Sequence, residues 1–272
     1  MNTSIENLAK THYENFPVGS IFLPKKIRKP IHTIYTFARV ADDIADEGNL
    51  SQQERLQKLD EWESFLFQVI KGKSSNSFFV ELAKIIQQYK IPVELFSQLI
   101  TAFRMDVQQK QFFTFDDVLF YCTHSANPIG KMLLHLFDSA NKENFLYSDN
   151  ICTALQLTNF WQDVSIDVQR GRCYFPKSEL EKFGYSFSSH NEEQFIAVMK
   201  FQIERTRDLF QQGIPLLKTV HKDFRFELQL IWNGGMTILE KIEKMNYNTL
   251  SKRPRLYWYD IIKIFSKTLF LR

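Results

Sequence analysis

The chain has 272 residues, 44% of them hydrophobic and 15% aromatic, with 26 phenylalanines but only nine glycines and eight prolines. A net charge of +3, no finger spacing and no long basic stripe exclude an ordinary nucleic-acid module. Glu6, Lys10 and Glu14 interrupt the first residues and no run of about 18 apolar residues occurs, so neither a signal peptide nor a membrane span is expected.

Helical periodicity runs from end to end, and no alternating strand pattern stands out. Asn2 or Ser4 caps a short first helix through about Tyr13, broken at Phe16-Pro17-Val18-Gly19-Ser20. Pro24 and Pro30 frame the entry to a helix reaching about Asp46, ended by Gly48 and Asn49. Ser51 with Glu54 forms a capping box for a helix to about Ile70. Helices follow at about 77–89 and 92–107. Thr114 with Asp117 opens another, interrupted near Asn127-Pro128, where a kink is expected, and continuing to about Ser139. One helix spans 147–169, a short one lies between Lys177 and His190, and long ones occupy about 191–212, 215–245 and 255–271. These elements predict an all-α fold built as one domain over residues 1–272. The last segment, with Tyr257, Trp258, Ile261, Ile262, Phe265 and Leu269, reads as a final core helix; the alternative is transient contact with a membrane surface. Cys122, Cys152 and Cys173 are odd in number and lack Cys-x-x-Cys, which suits reduced thiols in a cytoplasmic protein, at most peripheral to the inner membrane face. The residues leave the oligomeric state open.

Two Asp-x-x-x-Asp pairs, Asp42/Asp46 and Asp163/Asp167, stand out in this helical background. Residues four apart share a helix face, roughly 6 Å apart along the axis, where like charges destabilise unless a cation joins them. Tyr35, Arg39, Asp42 and Asp46 form one stripe beside Ile34, Phe37, Ala38 and Ala41. Gln156, Asn159, Asp163, Asp167 and Arg170 form a second beside Leu155, Leu157, Phe160 and Trp161. A single pair would read as a solvated acidic face. Two pairs, each with an arginine and a neutral polar group, point to Mg²⁺ held by Asp42, Asp46, Asn159, Asp163 and Asp167, with Arg39, Arg170 and Arg172 gripping phosphate oxygens. Other schemes lack support: no histidine follows glutamate by three positions, zinc spacing and EF-hand loops are missing, and so are the glycine-rich nucleotide motifs.

The stretch Tyr35-Thr-Phe-Ala-Arg39-Val-Ala-Asp42-Asp43-Ile-Ala-Asp46 resembles the first aspartate-rich motif of squalene and phytoene synthases. Gln156-Leu-Thr-Asn159-Phe-Trp-Gln162-Asp163-Val-Ser-Ile-Asp167-Val-Gln-Arg170-Gly-Arg172-Cys-Tyr174-Phe-Pro176 resembles the second, and the likeness extends from His12 to about Tyr247. The opening His12-Tyr-Glu-Asn15-Phe16-Pro17 and the phrase Tyr121-Cys-Thr-His-Ser125-Ala126-Asn127-Pro128-Ile-Gly130 look most like the branch that makes hydroxysqualene on the bacterial hopanoid route. Many relatives have glycine at the position of Asn127 and lack Pro128, so the pocket beside that kink departs from theirs.

The resemblance implies an isoprenoid synthase fold with a central cavity, Mg²⁺ between the aspartate helices, and an isoprenoid diphosphate substrate. On this branch presqualene diphosphate and water become hydroxysqualene and diphosphate without a reductant. Condensation of two farnesyl diphosphates is the alternative, and a non-catalytic assembly factor a remoter one. Asp42, Asp46, Asp163, Asp167 and Tyr121 are the expected catalytic residues. His12, Phe16, Arg39, Asn127, Gln156, Phe160, Arg170 and Tyr174 are expected at the substrate, with Lys131 a further phosphate contact. Phe16, Tyr121 and Phe160 would shelter a cation, and Asn127 or Gln156 would place the water. Asp43 is expected to support the metal shell or face solvent, and Asp106 to be an ordinary surface charge beside Arg104. Gly234-Gly235 leaves space in the penultimate helix.

Overall fold

Side-chain caps set where most of the helices begin, because the first four N–H groups of a helix have no partner within it. Ser51 with Glu54 and Thr114 with Asp117 both form complete capping boxes. Asn76, Asn141 and Asn191 accept N–H groups of the first turns that follow them. The computed structural model describes residues 22–73, 76–189 and 191–270. Thirteen helices and no strand occur among the described residues. In chain order they are α1 (Lys25–Asp46), α2 (Gln52–Ile70), α3 (Ser77–Tyr89), α4 (Glu94–Val107), α5 (Phe115–Ser125), α6 (Asn127–Leu136) and α7 (Lys142–Gln162). There follow α8 (Val164–Gln169), α9 (Lys177–Lys182), α10 (Glu192–Gly213), α11 (Leu216–Thr219), α12 (Lys222–Lys244) and α13 (Trp258–Phe270). His12, Phe16 and the expected first helix lie outside the described residues.

The all-helical expectation holds, with three differences of detail. The interruption near Pro128 is a full break at Ala126, with Pro128 in the first turn of α6. The expected 147–169 helix divides at Asp163, and the expected 215–245 helix divides between Thr219 and Lys222.

Each aspartate helix is anchored by the face opposite its carboxylates. Phe37 of α1 is fully buried and meets Phe96 at 5.1 Å, edge to face, and Trp62 at 5.7 Å. Trp62 also donates its indole N–H to the Phe37 carbonyl, tying α1 to α2. On α7, Trp161 is fully buried and donates to the Thr206 hydroxyl of α10 at 2.9 Å. Burying each such ring contributes roughly 1.5–3 kcal/mol, which holds both helices rigidly under their polar faces.

Helix α13 packs on α12 through Ile264 and Thr268, the latter accepting from Asn233 at 3.0 Å. It is a last packed helix, but Trp258, Ile261 and Ile262 stay exposed. No described helix is long and apolar enough to cross a membrane. Cys122, Cys152 and Cys173 are all free.

The space expected at Gly234-Gly235 exists at only one of the two. A Cβ on Gly235 would lie 2.5 Å from the buried Phe210 ring and 3.0 Å from Leu155, whereas one on Gly234 would meet nothing within 4 Å. Gly235→Ala is expected to destabilise by about 1–3 kcal/mol through overpacking. Gly234→Ala should be neutral or stabilise by up to about 1 kcal/mol through helix propensity. Urea unfolding of the two variants measures the contrast, and equal midpoints would refute the packing argument.

Candidate active site

The second aspartate motif is shaped by the way α8 ends. Asp163 leaves helical geometry (φ −102°, ψ 10°), yet the Asp167 N–H still reaches its carbonyl at 2.9 Å, so the two residues stay one turn apart. Gly171 then takes a left-handed φ of +74°, the Arg172 N–H bonds back to the Asp167 carbonyl at 2.8 Å, and the Gly171 N–H bonds to Val168. This is a Schellman ending, and it reverses the chain so that Arg172 points away from its own helix. The guanidinium lands on Asp46 of the first motif, donating through both terminal nitrogens, one at 3.0 Å.

The two motifs therefore meet around one arginine. Asp42 and Asp167 both lie within the electrostatic reach of Arg172. Arg39 turns along its own helix to Asp42 at 3.0 Å, Asp43 at 2.7 Å and Glu47 at 2.9 Å, so Asp43 supports the first motif through Arg39. Arg253, from the segment between α12 and α13, holds Asp163 with two nitrogens, one at 3.1 Å. Gln162 pins that segment by donating to the Pro254 carbonyl at 2.8 Å. Arg253 escaped sequence reading, because it sits 90 positions from Asp163 in an irregular stretch with no periodic signal.

Beside the charged cluster lies a cavity of about 260 Å³, lined by Asp106, Phe112, Tyr121, Arg172 and Tyr174 among others. Phe112, Tyr121 and Tyr174 of that lining pack against one another, and Phe160 stacks on Tyr174 without lining the cavity itself. Tyr174 stacks on Phe160 at 3.8 Å with nearly parallel rings, and Tyr121 lies 5.9 Å from Phe160 and 6.0 Å from Tyr174. Tyr121 is buried and donates its hydroxyl proton to Asp106 at 3.0 Å.

Asp106 is thus no surface charge. Its helix turns it toward the cavity, where a buried phenol needs an acceptor. Burial, opposed by the Tyr121 bond and Arg172, raises it to about 7. Burial, reinforced by Asp106, pushes the Tyr121 and Tyr174 phenols above their ordinary range.

Several expected residues sit elsewhere. Asn127 is buried at the α6–α7 contact, where its amide oxygen accepts from Thr153 at 3.1 Å, and it does not line the cavity. A buried amide must be satisfied, and the neighbouring helix supplies the donor. Lys131 pairs with Asp149 at 3.0 Å, away from the aspartate cluster. Gln156 and Asn159 are half-buried on α7, and Arg170 is exposed at the C-terminal end of α8, within electrostatic reach of Asp167.

Among the described residues, no group of three or more His, Cys, Asp or Glu side chains is drawn together as a metal cage. Arginines instead separate the carboxylates, as charge balance demands of like charges at close quarters. The donor set nevertheless suits a hard divalent cation. Asp42 is raised to about 6 by burial, with Asp46 and Asp43 adding to the effect and Arg39 opposing it. Asp167 is raised to about 6 by burial and then by Asp163. Both shifts come first from burial, with like charge adding to it, and a bound cation would offset both.

The fold is that of the all-helical isoprenoid synthases. A family model described as squalene/phytoene synthase matches residues 9–260, and the chain belongs to that family. It is similar to the crystal structure of squalene synthase HpnC from Alicyclobacillus acidocaldarius, with a TM-score of 0.84 and 33% identity over 90% of this chain and 94% of that one. It is 31% identical to a 15-cis-phytoene synthase of Synechococcus elongatus, over 90% of this chain and 83% of the relative. A dehydrosqualene synthase structure shares the fold with a TM-score of 0.87 at 22% identity, over 99% of this chain and 95% of that one.

Asp167 binds its proton more tightly in the folded chain than in the unfolded one, so its charged form costs stability above about pH 6 and costs nothing below the usual carboxylate range. Asp167→Asn is expected to raise the melting temperature near neutral pH. The gain should fade as pH drops from about 6 toward about 4. A gain that grew on acidification would contradict this electrostatic picture.

Proposed function

We propose that this enzyme ionises presqualene diphosphate and captures the rearranged cation with water, releasing hydroxysqualene and diphosphate. The observation that carries the reading is the Arg172–Asp46 link, which joins both aspartate motifs into one cluster at the edge of an aromatic-walled cavity. Such a site has a charged end for a diphosphate and an apolar end for a polyisoprenoid chain. The 33% identity with the squalene synthase HpnC adds support on the side of squalene chemistry.

Asp42, Asp46, Asn159, Asp163 and Asp167 would hold Mg²⁺, which supplies Lewis-acid stabilisation of the leaving diphosphate when bound. Arg172 and Arg253 already stand at the carboxylates and present N–H groups where phosphate oxygens would lie; Arg39 and Arg170 add positive charge at the two ends of the cluster. As the carbon–oxygen bond breaks, the electron pair leaves with diphosphate and these guanidinium groups oppose the growing negative charge. Phe160, Tyr174 and Tyr121 would exclude bulk water and turn ring faces to the carbocation, each worth about 0.5–2 kcal/mol. His12 and Phe16 lie outside the described residues, and their expected places at the substrate rest on the sequence alone.

A second reading is condensation of two prenyl diphosphates, favoured by the 31% identity with a phytoene synthase. The same aspartates serve both reactions. Incubation with Mg²⁺ and either presqualene or farnesyl diphosphate, with and without NADPH, separates them. Hydroxysqualene from presqualene diphosphate alone, indifferent to NADPH, is the expected result. Hydrocarbon formed directly from farnesyl diphosphate would select the alternative. Asp42→Ala and Asp163→Ala should each lower turnover by about a hundredfold or more, with unchanged far-ultraviolet circular dichroism.

A further inference from the structure

The Asp106–Tyr121 pair hydrogen-bonds within itself and occupies the cavity wall. Asp106 leaves α4 and Tyr121 leaves α5, and both side chains line the same space as Phe112 and Tyr174. The Tyr121 proton is committed to Asp106 Oδ2, which leaves the phenol oxygen's lone pairs as an acceptor on that wall. The charged and titratable groups acting on Asp106 are Tyr121, Arg172, Asp46, Asp42 and the Tyr174 phenol, with Lys110, Cys173 and Lys177 also lining the cavity. None of the four aspartates of the metal motifs bonds to it.

Resting on the hydroxysqualene reading, we propose that Tyr121 and Asp106 form a two-member relay that positions the attacking water and takes up its proton. Water donates to the Tyr121 oxygen while its own lone pair forms the carbon–oxygen bond to the allylic cation. The resulting oxonium loses a proton to Tyr121, and the Tyr121 proton passes to Asp106. The sum is balanced: cation, water and carboxylate become alcohol and carboxylic acid, with no oxidant or reductant. Burial supports the assignment, since an acid raised to about 7 is matched to accept a proton near neutrality and return it to solvent afterwards. The phenylalanine rings around the cavity cannot do this, and a cation left without an oriented water would lose a proton from carbon and become a hydrocarbon.

The test is product partition by the purified full chain with presqualene diphosphate and Mg²⁺, comparing wild type, Asp106→Asn, Asp106→Glu and Tyr121→Phe. Asp106→Asn and Tyr121→Phe are expected to shift the ratio of alcohol to hydrocarbon roughly tenfold or more toward hydrocarbon, with Asp106→Glu restoring much of the alcohol. Tyr121→Phe keeps the ring, so it carries the test should Asp106→Asn fail to fold. An unchanged ratio in a folded Asp106→Asn or Tyr121→Phe protein overturns the relay alone. Loss of all products in proportion assigns the pair to ionisation and overturns it as well. A wild-type enzyme that makes no alcohol removes the hydroxysqualene reading itself, and the relay with it.

Discussion

Arg172 reaches Asp46 across 126 positions of sequence, and the working end of the molecule is organised around that contact. It follows from two local events. A glycine with positive φ ends α8 and turns the next residue outward, while Trp161 and Phe37 fix the helices on either side at the separation one guanidinium can bridge. Without Gly171 the chain would leave α8 in another direction, because a side-chain-bearing residue resists the left-handed region. Charge is then distributed by proximity: Arg172 to Asp46, Arg253 to Asp163, Arg39 to Asp42 and Asp43.

The resulting site has two characters divided by Tyr174. On one side are carboxylates and guanidinium groups, with Asp42 and Asp167 raised to about 6 because burial and like charge outweigh their partners. On the other side are stacked rings and one phenol–carboxylate pair. Ionising a diphosphate and sheltering a carbocation make opposite demands on their surroundings. The polar faces of α1 and α7–α8 stand next to aromatic side chains from α5, α7 and the loop after α8, an arrangement compatible with both. The helix faces turned away from the carboxylates carry most of the packing, while Tyr121 and Phe160 belong to the buried core as well as to the site.

Much of this was legible from residue order. Capping boxes at Ser51 and Thr114 are local bonds between residues three apart, and helical spacing marks the buried faces of α1 and α7, so both survive into the structure unchanged. The aspartate pairs were legible for the same reason, since four-residue spacing defines a face before any tertiary contact forms. Asp106, Arg253 and Asn127 were misread or missed because their surroundings come from other helices. Whether a carboxylate faces solvent or a tyrosine, and whether an amide faces a cavity or a threonine, depends on an element 15, 26 or 90 positions away.

Local sequence determined the helices, their starting caps, the two acidic faces and the family to which the chain belongs. These rest on backbone hydrogen bonds and side-chain spacing within a few turns. Tertiary packing alone decided which arginine serves which aspartate, where the aromatic side chains meet, and that Asp106 is half-buried against Tyr121. Electrostatic and aromatic contacts act through space over a few ångströms, and distance along the chain says nothing about them.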